Sequence, residues 1–237
     1  MRKILLVALI AAVGVASAAP IGTLDIAGTN TVRISATMID WGPLGTGFGE
    51  FIVTGRTGDF TAIPALSTGQ IADLNIATAP PGPPLATPID PFILVPFPAV
   101  LFSFNLEQIE LGGGPSCVPA PGVGQSCTPT EIVANSPFLL TQTNTGVSVS
   151  LSVRGTVTDL SDDSSLPYTG LFTANLVAQN VNTVPELLAA FGPGGPGFVD
   201  SSWSAQFQAI PEPGTLFTMV GTMLLFGGSF AARRLRK

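Results

Sequence analysis

Fifteen carboxylates, two cysteines, two tryptophans, one tyrosine and no histidine are the side chains with which this 237-residue chain could do chemistry. Without histidine there is no Ser-His-Asp or Cys-His arrangement and no His-ligated zinc or haem. The densest acidic cluster is Asp159, Asp162 and Asp163, interleaved with Ser161, Ser164 and Ser165. Oxygen donors so close together are what Ca²⁺ takes, and no other cofactor is expected. The cluster lacks the glycine and closing glutamate of an EF-hand loop. The same residues serve a solvated β-turn in which Asp and Ser cap their own backbone, and the turn is the expected reading.

Glycoside hydrolysis needs two carboxylates about 5–10 Å apart in a cleft. Asp40, Glu50, Asp59, Glu107 and Glu110 are available, but acids this numerous on one domain form such pairs by chance. Glu107 and Glu110 read as surface residues near a strand end, no catalytic residue is assigned, and the chain is not expected to be an enzyme. Sugar-binding surfaces use Trp and Tyr, which stack on a pyranose and donate a hydrogen bond from the edge. Here fifteen Phe outnumber them. Trp41 and Trp203 both sit among alternating apolar residues, which places them in a core.

The elements that position these residues are strands. Val147, Val149, Leu151 and Val153 alternate with Ser148, Ser150, Ser152 and Arg154, the period of a half-buried strand. Similar runs lie at 32–39, 49–54, 70–77, 100–111, 169–178 and 202–209. In the last, Trp203, Ala205, Phe207 and Ala209 share one face. Asn144-Thr145-Gly146 predicts a hairpin turn. Only 185–191 reads as a helix, with Pro185 in its first turn and Gly192 as its stop. Seven or more short strands without interleaved helices predict an all-β, antiparallel β-sandwich or jelly-roll-like domain over 19–210. The proline-rich segment 79–98 reads as a long surface loop. Cys117 and Cys127 lie in a Gly/Pro-rich insertion at 112–129, with nine residues between them. As the sole two thiols of a chain read below as exported, they most simply pair with each other.

The two ends differ from this middle. Arg2 and Lys3, an apolar run over 4–15, and Ala16-Ser17-Ala18 form a signal peptide over 1–18, cleaved by signal peptidase to leave Ala19 first. Residues 19–210 hold fourteen carboxylates and three arginines, formally −11, which argues against nucleic acid and anionic membrane as partners. Residues 214–232 are uncharged and mostly apolar, enough for one transmembrane helix. Arg233, Arg234, Arg236 and Lys237 follow and hold that end in the cytoplasm. Immediately before the span stand Pro211, Glu212 and Pro213. Two prolines around Glu212 favour an extended, accessible segment over a helix start.

Pro211-Glu212-Pro213, an apolar span and an Arg-rich tail, in that order, resemble the PEP-CTERM sorting signal of bacterial exported proteins. The resemblance covers 211–237 and concerns handling only. It implies that a membrane-embedded processing enzyme, the exosortase, reads the motif on the outer side of the membrane and removes the tail. It also implies delivery to the cell surface or an exopolysaccharide matrix. The expected function is a non-enzymatic, exported structural or adhesive protein. A surface-anchored carbohydrate- or ligand-binding module is the alternative, and a secreted hydrolase using paired carboxylates stands behind it.

Overall fold

A computed structural model describes residues 21–42, 47–176 and 181–210. The predicted signal peptide, sorting motif, span and basic tail lie outside these residues. About half of the described chain is strand, and nearly all of its regular structure is β. In order, these are β1 (Thr23–Gly28), β2 (Val32–Ser35), β3 (Met38–Asp40), β4 (Phe48–Arg56), β5 (Thr68–Ala72), β6 (Leu74–Asn75) and β7 (Ile89–Val95). They are followed by β8 (Phe102–Ile109), β9 (Ser126–Cys127), β10 (Phe138–Gln142), β11 (Val147–Asp159), β12 (Ser164–Asn175), β13 (Phe198–Ser201) and β14 (Trp203–Ala209). A 3₁₀ turn (Gly58–Ala62) and one helix, α1 (Val184–Phe191), complete the set.

The all-β, antiparallel expectation holds, but the architecture is not a sandwich of two facing sheets. Eight strands pair in the cycle β1-β4-β5-β7-β8-β11-β12-β14 and back to β1, so the main sheet closes into a barrel. Closure leaves no free edge within that ring. The reason lies in β11 and β12. They are long enough, at 13 and 12 residues, to pair along their whole length and still reach β8 and β14 on their outer sides. Register shifts between Arg154 and Gly155 against β8, and between Asp25 and Ile26 against β4, add the curvature that closure needs.

The first half of β11 runs past the barrel mouth and pairs with β10, and β9 covers part of the outer side of β10. A second sheet, β13-β2-β3-β6, packs near this end, where β1 hands over to β2 and β13 to β14. The predicted strand 32–39 is therefore two short strands, and 70–77 divides into β5 and β6. The segment 79–98, expected as surface loop, supplies the barrel strand β7. Its Pro91 sits where the β7–β8 register shifts, the kind of position at which a strand tolerates proline. The predicted turn forms, with Thr143 N donating to Gly146 O at 2.8 Å.

The predicted helix forms as α1. Thr183 and Glu186 make a reciprocal capping box at its start. Buried Gln142 ties it to the β10–β11 hairpin. Its Nε2 donates to the carbonyls of Gly146 and Asn182, and its Oε1 accepts from Val184 N at 3.0 Å.

Alternation sends apolar residues inward and polar residues outward. On β11, Val153, Gly155 and Val157 face in, and Ser152, Arg154, Thr156 and Thr158 face out. A lipid-embedded barrel has the opposite polarity, so this wall faces water. The interior is filled by a column of rings running Phe102, Phe60, Phe104, Phe207, Phe172 and Trp41, each within 6 Å of the next. Tyr168 joins the column beside Phe104 and Phe207. Two glycines make room for it. A Cβ on Gly155 would stand 1.8 Å from Asn105 O, and one on Gly170 would stand 2.6 Å from the Phe207 ring. Among the described residues no helix is long and apolar enough to cross a membrane.

Candidate functional site

The two tryptophans meet where the second sheet joins the barrel. Trp41 follows β3 and Trp203 opens β14. Their ring centroids are 4.5 Å apart, and Phe172 lies 4.7 Å from Trp41. They are 2% and 5% exposed, so neither offers a flat face to a sugar, and the core reading holds. Beside them is an apolar chamber of about 20 Å³, lined by Ile34, Ile39, Val149 and Phe172 among others. That is room for about one water and no organic ligand. Neither indole Nε1 has a hydrogen-bond partner among the described residues, nor does the Tyr168 hydroxyl. Burial pushes the Tyr168 phenol well above its ordinary range, so it stays neutral. The edge of Trp203 lies against Gly28, where a Cβ would stand 2.0 Å from its Nε1. The chamber packs the junction between the sheets.

The acids expected as hydrolase candidates are dispersed. Asp59 accepts from Ile21 N at 2.7 Å and seals the start of the barrel. Glu107 accepts from the Thr156 hydroxyl on the barrel wall, and Glu110 pairs with Arg154. Glu50 is exposed on β4. Asp40 accepts from Gly42 N at 3.1 Å. A carboxyl with a raised pKa was not among the candidates. It is Asp73, which leaves β5 and accepts from Trp41 N at 2.9 Å. Burial is the main cause of the rise, the Trp41 hydrogen bond opposes it, and the charge of Asp40 adds to it. Asp73 therefore belongs to the sheet junction, positioning the backbone at Trp41.

A folded-state pKa above the unfolded one makes a contribution to stability that is full below about pH 4 and is lost as pH rises through the raised value. Asp73→Asn keeps an acceptor for Trp41 N and removes the charge. Its melting temperature should exceed that of the native protein at pH 7, with the difference shrinking below pH 4. A variant that melts lower at pH 7 would show that the ionised carboxylate is what holds Trp41.

Nearby, Arg33 makes a two-point contact with Asp200, Nε to Oδ1 at 2.9 Å and Nη2 to Oδ2 at 3.1 Å. Its guanidinium lies 4.0 Å from the centroid of Phe198. The hydrogen bond to Asp200 raises its pKa further, so it stays cationic. This pair staples β2 to β13 across 167 residues. Nothing in the local sequence could have signalled it.

Asp159, Asp162 and Asp163 occupy the β11–β12 turn. Asp159 Oδ1 accepts from Ser161 N at 2.8 Å and from the Ser161 hydroxyl, and Asp162 Oδ1 accepts from Ser164 N at 2.9 Å. Asp163 takes the left-handed conformation at φ 57°. This is the self-capped turn the composition favours. Among the described residues no three His, Cys, Asp or Glu side chains are grouped as a metal site requires.

Cys117 and Cys127 are joined in a disulfide and both are buried. Cys127 lies on β9, so the bridge fastens the insertion that covers the edge of β10. Closing this short loop restrains the unfolded chain by roughly 3 kcal/mol on the chain-entropy model. Replacing both cysteines with serine should lower unfolding stability by about that amount in urea titration. Alkylation of the native protein without reductant should label neither cysteine, and stoichiometric labelling of both would refute the bond.

Pro211, Glu212, Pro213 and the four basic terminal residues lie outside the described residues, which end at Ile210, one residue after the strand β14 that closes the barrel. Comparison with known proteins finds no matching family model, no matching curated protein and no matching solved structure.

Proposed function

We propose that this chain is a non-enzymatic exported protein whose barrel is delivered to the cell surface or an exopolysaccharide matrix as a structural or adhesive unit. Signal peptidase removes 1–18, the apolar segment 214–232 holds the product in the membrane, and an exosortase-type enzyme acts at Pro211-Glu212-Pro213. The observation that carries this reading is order along the chain. A closed barrel ends at Ile210, and the motif, the span and the basic cluster follow with no residue to spare between them.

The interior supports a structural role, because among the described residues aromatic rings fill it and the chamber beside Trp41 and Trp203 is too small for an organic ligand. Burial of Trp41 and Trp203 removes the stacking platform a carbohydrate-binding module would have used. Asp40, Asp59, Glu107 and Glu110 are each held by a backbone, hydroxyl or arginine partner, which suits a structural part.

Intact-mass measurement of the protein from envelope and culture-supernatant fractions tests this. The expected result is a mature chain beginning at Ala19, full-length at its other end in the envelope and shortened near Pro213 in the supernatant. A secreted product still carrying Met1, or one retaining Lys237, would overturn it.

A further inference from the structure

The two ends of the barrel are unlike. One lies beside the second sheet and the β10–β11 hairpin. The other carries the entry of the chain at Ile21, its exit at Ile210, and the connections 57–67, 96–101 and 160–163. Antiparallel pairing around the ring puts all of these at one end. Entry and exit are neighbours, since Ala209 N donates to Gly22 O at 3.0 Å and Ile210 N to Pro167 O at 2.8 Å.

Five large apolar side chains point out at this end. Ile21, Leu66, Phe97, Leu160 and Ile210 are each between 40% and 70% exposed. Leu66 is the most exposed, and it takes a left-handed φ of 59°, which a leucine adopts at a cost. Neither turn geometry nor the core calls for leucine there. Other large apolar side chains, among them Met38, Phe48, Leu111 and Val118, are as exposed elsewhere, but these five share the end at which the chain enters and leaves the barrel, and apolar tips gathered there mark a surface that contacts something apolar.

The chain itself says what that is. Only Pro211, Glu212 and Pro213 separate Ile210 from the uncharged stretch 214–232, and three extended residues reach about 10 Å at most. We propose that this end of the barrel rests on the lipid bilayer, with Leu66, Phe97 and Leu160 entering the boundary between headgroups and acyl chains and the barrel standing end-on above it. The proposal rests on the reading that 214–232 spans the membrane. An uncleaved signal peptide would tether the same end, because the chain also enters there.

Charge selects the lipid. The loops and strand ends here carry Asp59, Asp159, Asp162 and Asp163 against Arg56, so the surface suits zwitterionic headgroups and is opposed by anionic ones.

The test uses the full chain, carrying one added cysteine labelled with an environment-sensitive nitrobenzoxadiazole dye and kept without reductant so that Cys117 and Cys127 stay paired. It is reconstituted in phosphatidylcholine vesicles containing a lipid with a nitroxide at shallow acyl depth. Leu66→Cys and Leu160→Cys report on the apolar end. Leu171→Cys, as exposed but on the barrel wall, and Met38→Cys at the other end are the controls.

The expected result is roughly twofold quenching at Leu66 and Leu160, with little at Leu171 or Met38. Co-flotation of the chain without quenching at Leu66 and Leu160 would overturn the proposal while leaving the span intact. Blue-shifted emission without quenching there would assign the face to another copy of the chain and overturn it equally. Failure of the full chain to float with the vesicles would remove the span, and the proposal with it.

Discussion

Phe207→Ala should lower the unfolding free energy by about 3–5 kcal/mol, a large share of the roughly 5–15 kcal/mol that holds a domain folded. Phe207 is fully buried and stands midway along the ring column, with centroids 5.4 Å from Phe104, 5.4 Å from Phe172 and 5.7 Å from Tyr168. It also covers Gly170 on the neighbouring strand, directly opposite in register. Truncation opens a void among rigid rings fixed to different strands of a closed barrel, and a closed ring has little freedom to collapse into it.

Gln208→Ala, one residue on and facing out, should stay within about 0.5 kcal/mol. Gly155→Val should match or exceed the Phe207 loss for the opposite reason, since its Cβ would meet the backbone carbonyl of Asn105 and force β8 from β11. Urea unfolding of the three variants decides it. A Phe207→Ala loss of less than about 1 kcal/mol would mean that the rings are not a packed column.

What the sequence disclosed about this fold follows the range of the interactions involved. The alternation in β11 and β14, the Asn144-Thr145-Gly146 turn and the helix after Thr183 depend on neighbours a few residues away, and all are where pattern reading places them. Barrel closure was not legible. It depends on the pairing of β1 with β14, which joins Thr23 to Gln208, and no local period encodes that. β7 was hidden by Pro91 within it and the prolines on either side, because the signal that ends a regular strand also marks a register shift within one.

Asp73 and the Arg33–Asp200 staple were missed for the same reason as closure. Their partners come from distant segments, and nothing in their immediate sequence separates them from ordinary surface charges. The disulfide was legible because there were two thiols and one way to pair them. The proposed sorting tail rests on a signal of another kind, three parts in a set order, and order needs no fold.

Replacing Pro211-Glu212-Pro213 with three alanines should convert a released protein into one that accumulates in the membrane at full length. The physical basis is an asymmetry across 214–232. On the proposed topology, the terminal cluster Arg233, Arg234, Arg236 and Lys237 is costly to translocate, at roughly 2.5–3.5 kcal/mol for a basic residue placed at the bilayer centre, so the span would halt with its other end outside. The barrel then folds on that outer side and closes with β14, which ends two residues before Pro211. A barrel so near the proposed span would leave a processing enzyme only the short stretch after Ile210 to grip, and two prolines disfavour a helix running through that stretch. Three alanines restore a good helix former and let the span extend upward toward β14, withdrawing the accessible segment. Changing the four terminal basic residues to serine should act differently, weakening the halt so that part of the chain passes through the membrane unprocessed. Membrane and supernatant fractions compared by intact mass separate the two. If the alanine variant is released at the mass expected for the same cleavage as the native chain, the prolines and Glu212 are not what the processing enzyme reads, and the sorting assignment loses its main support.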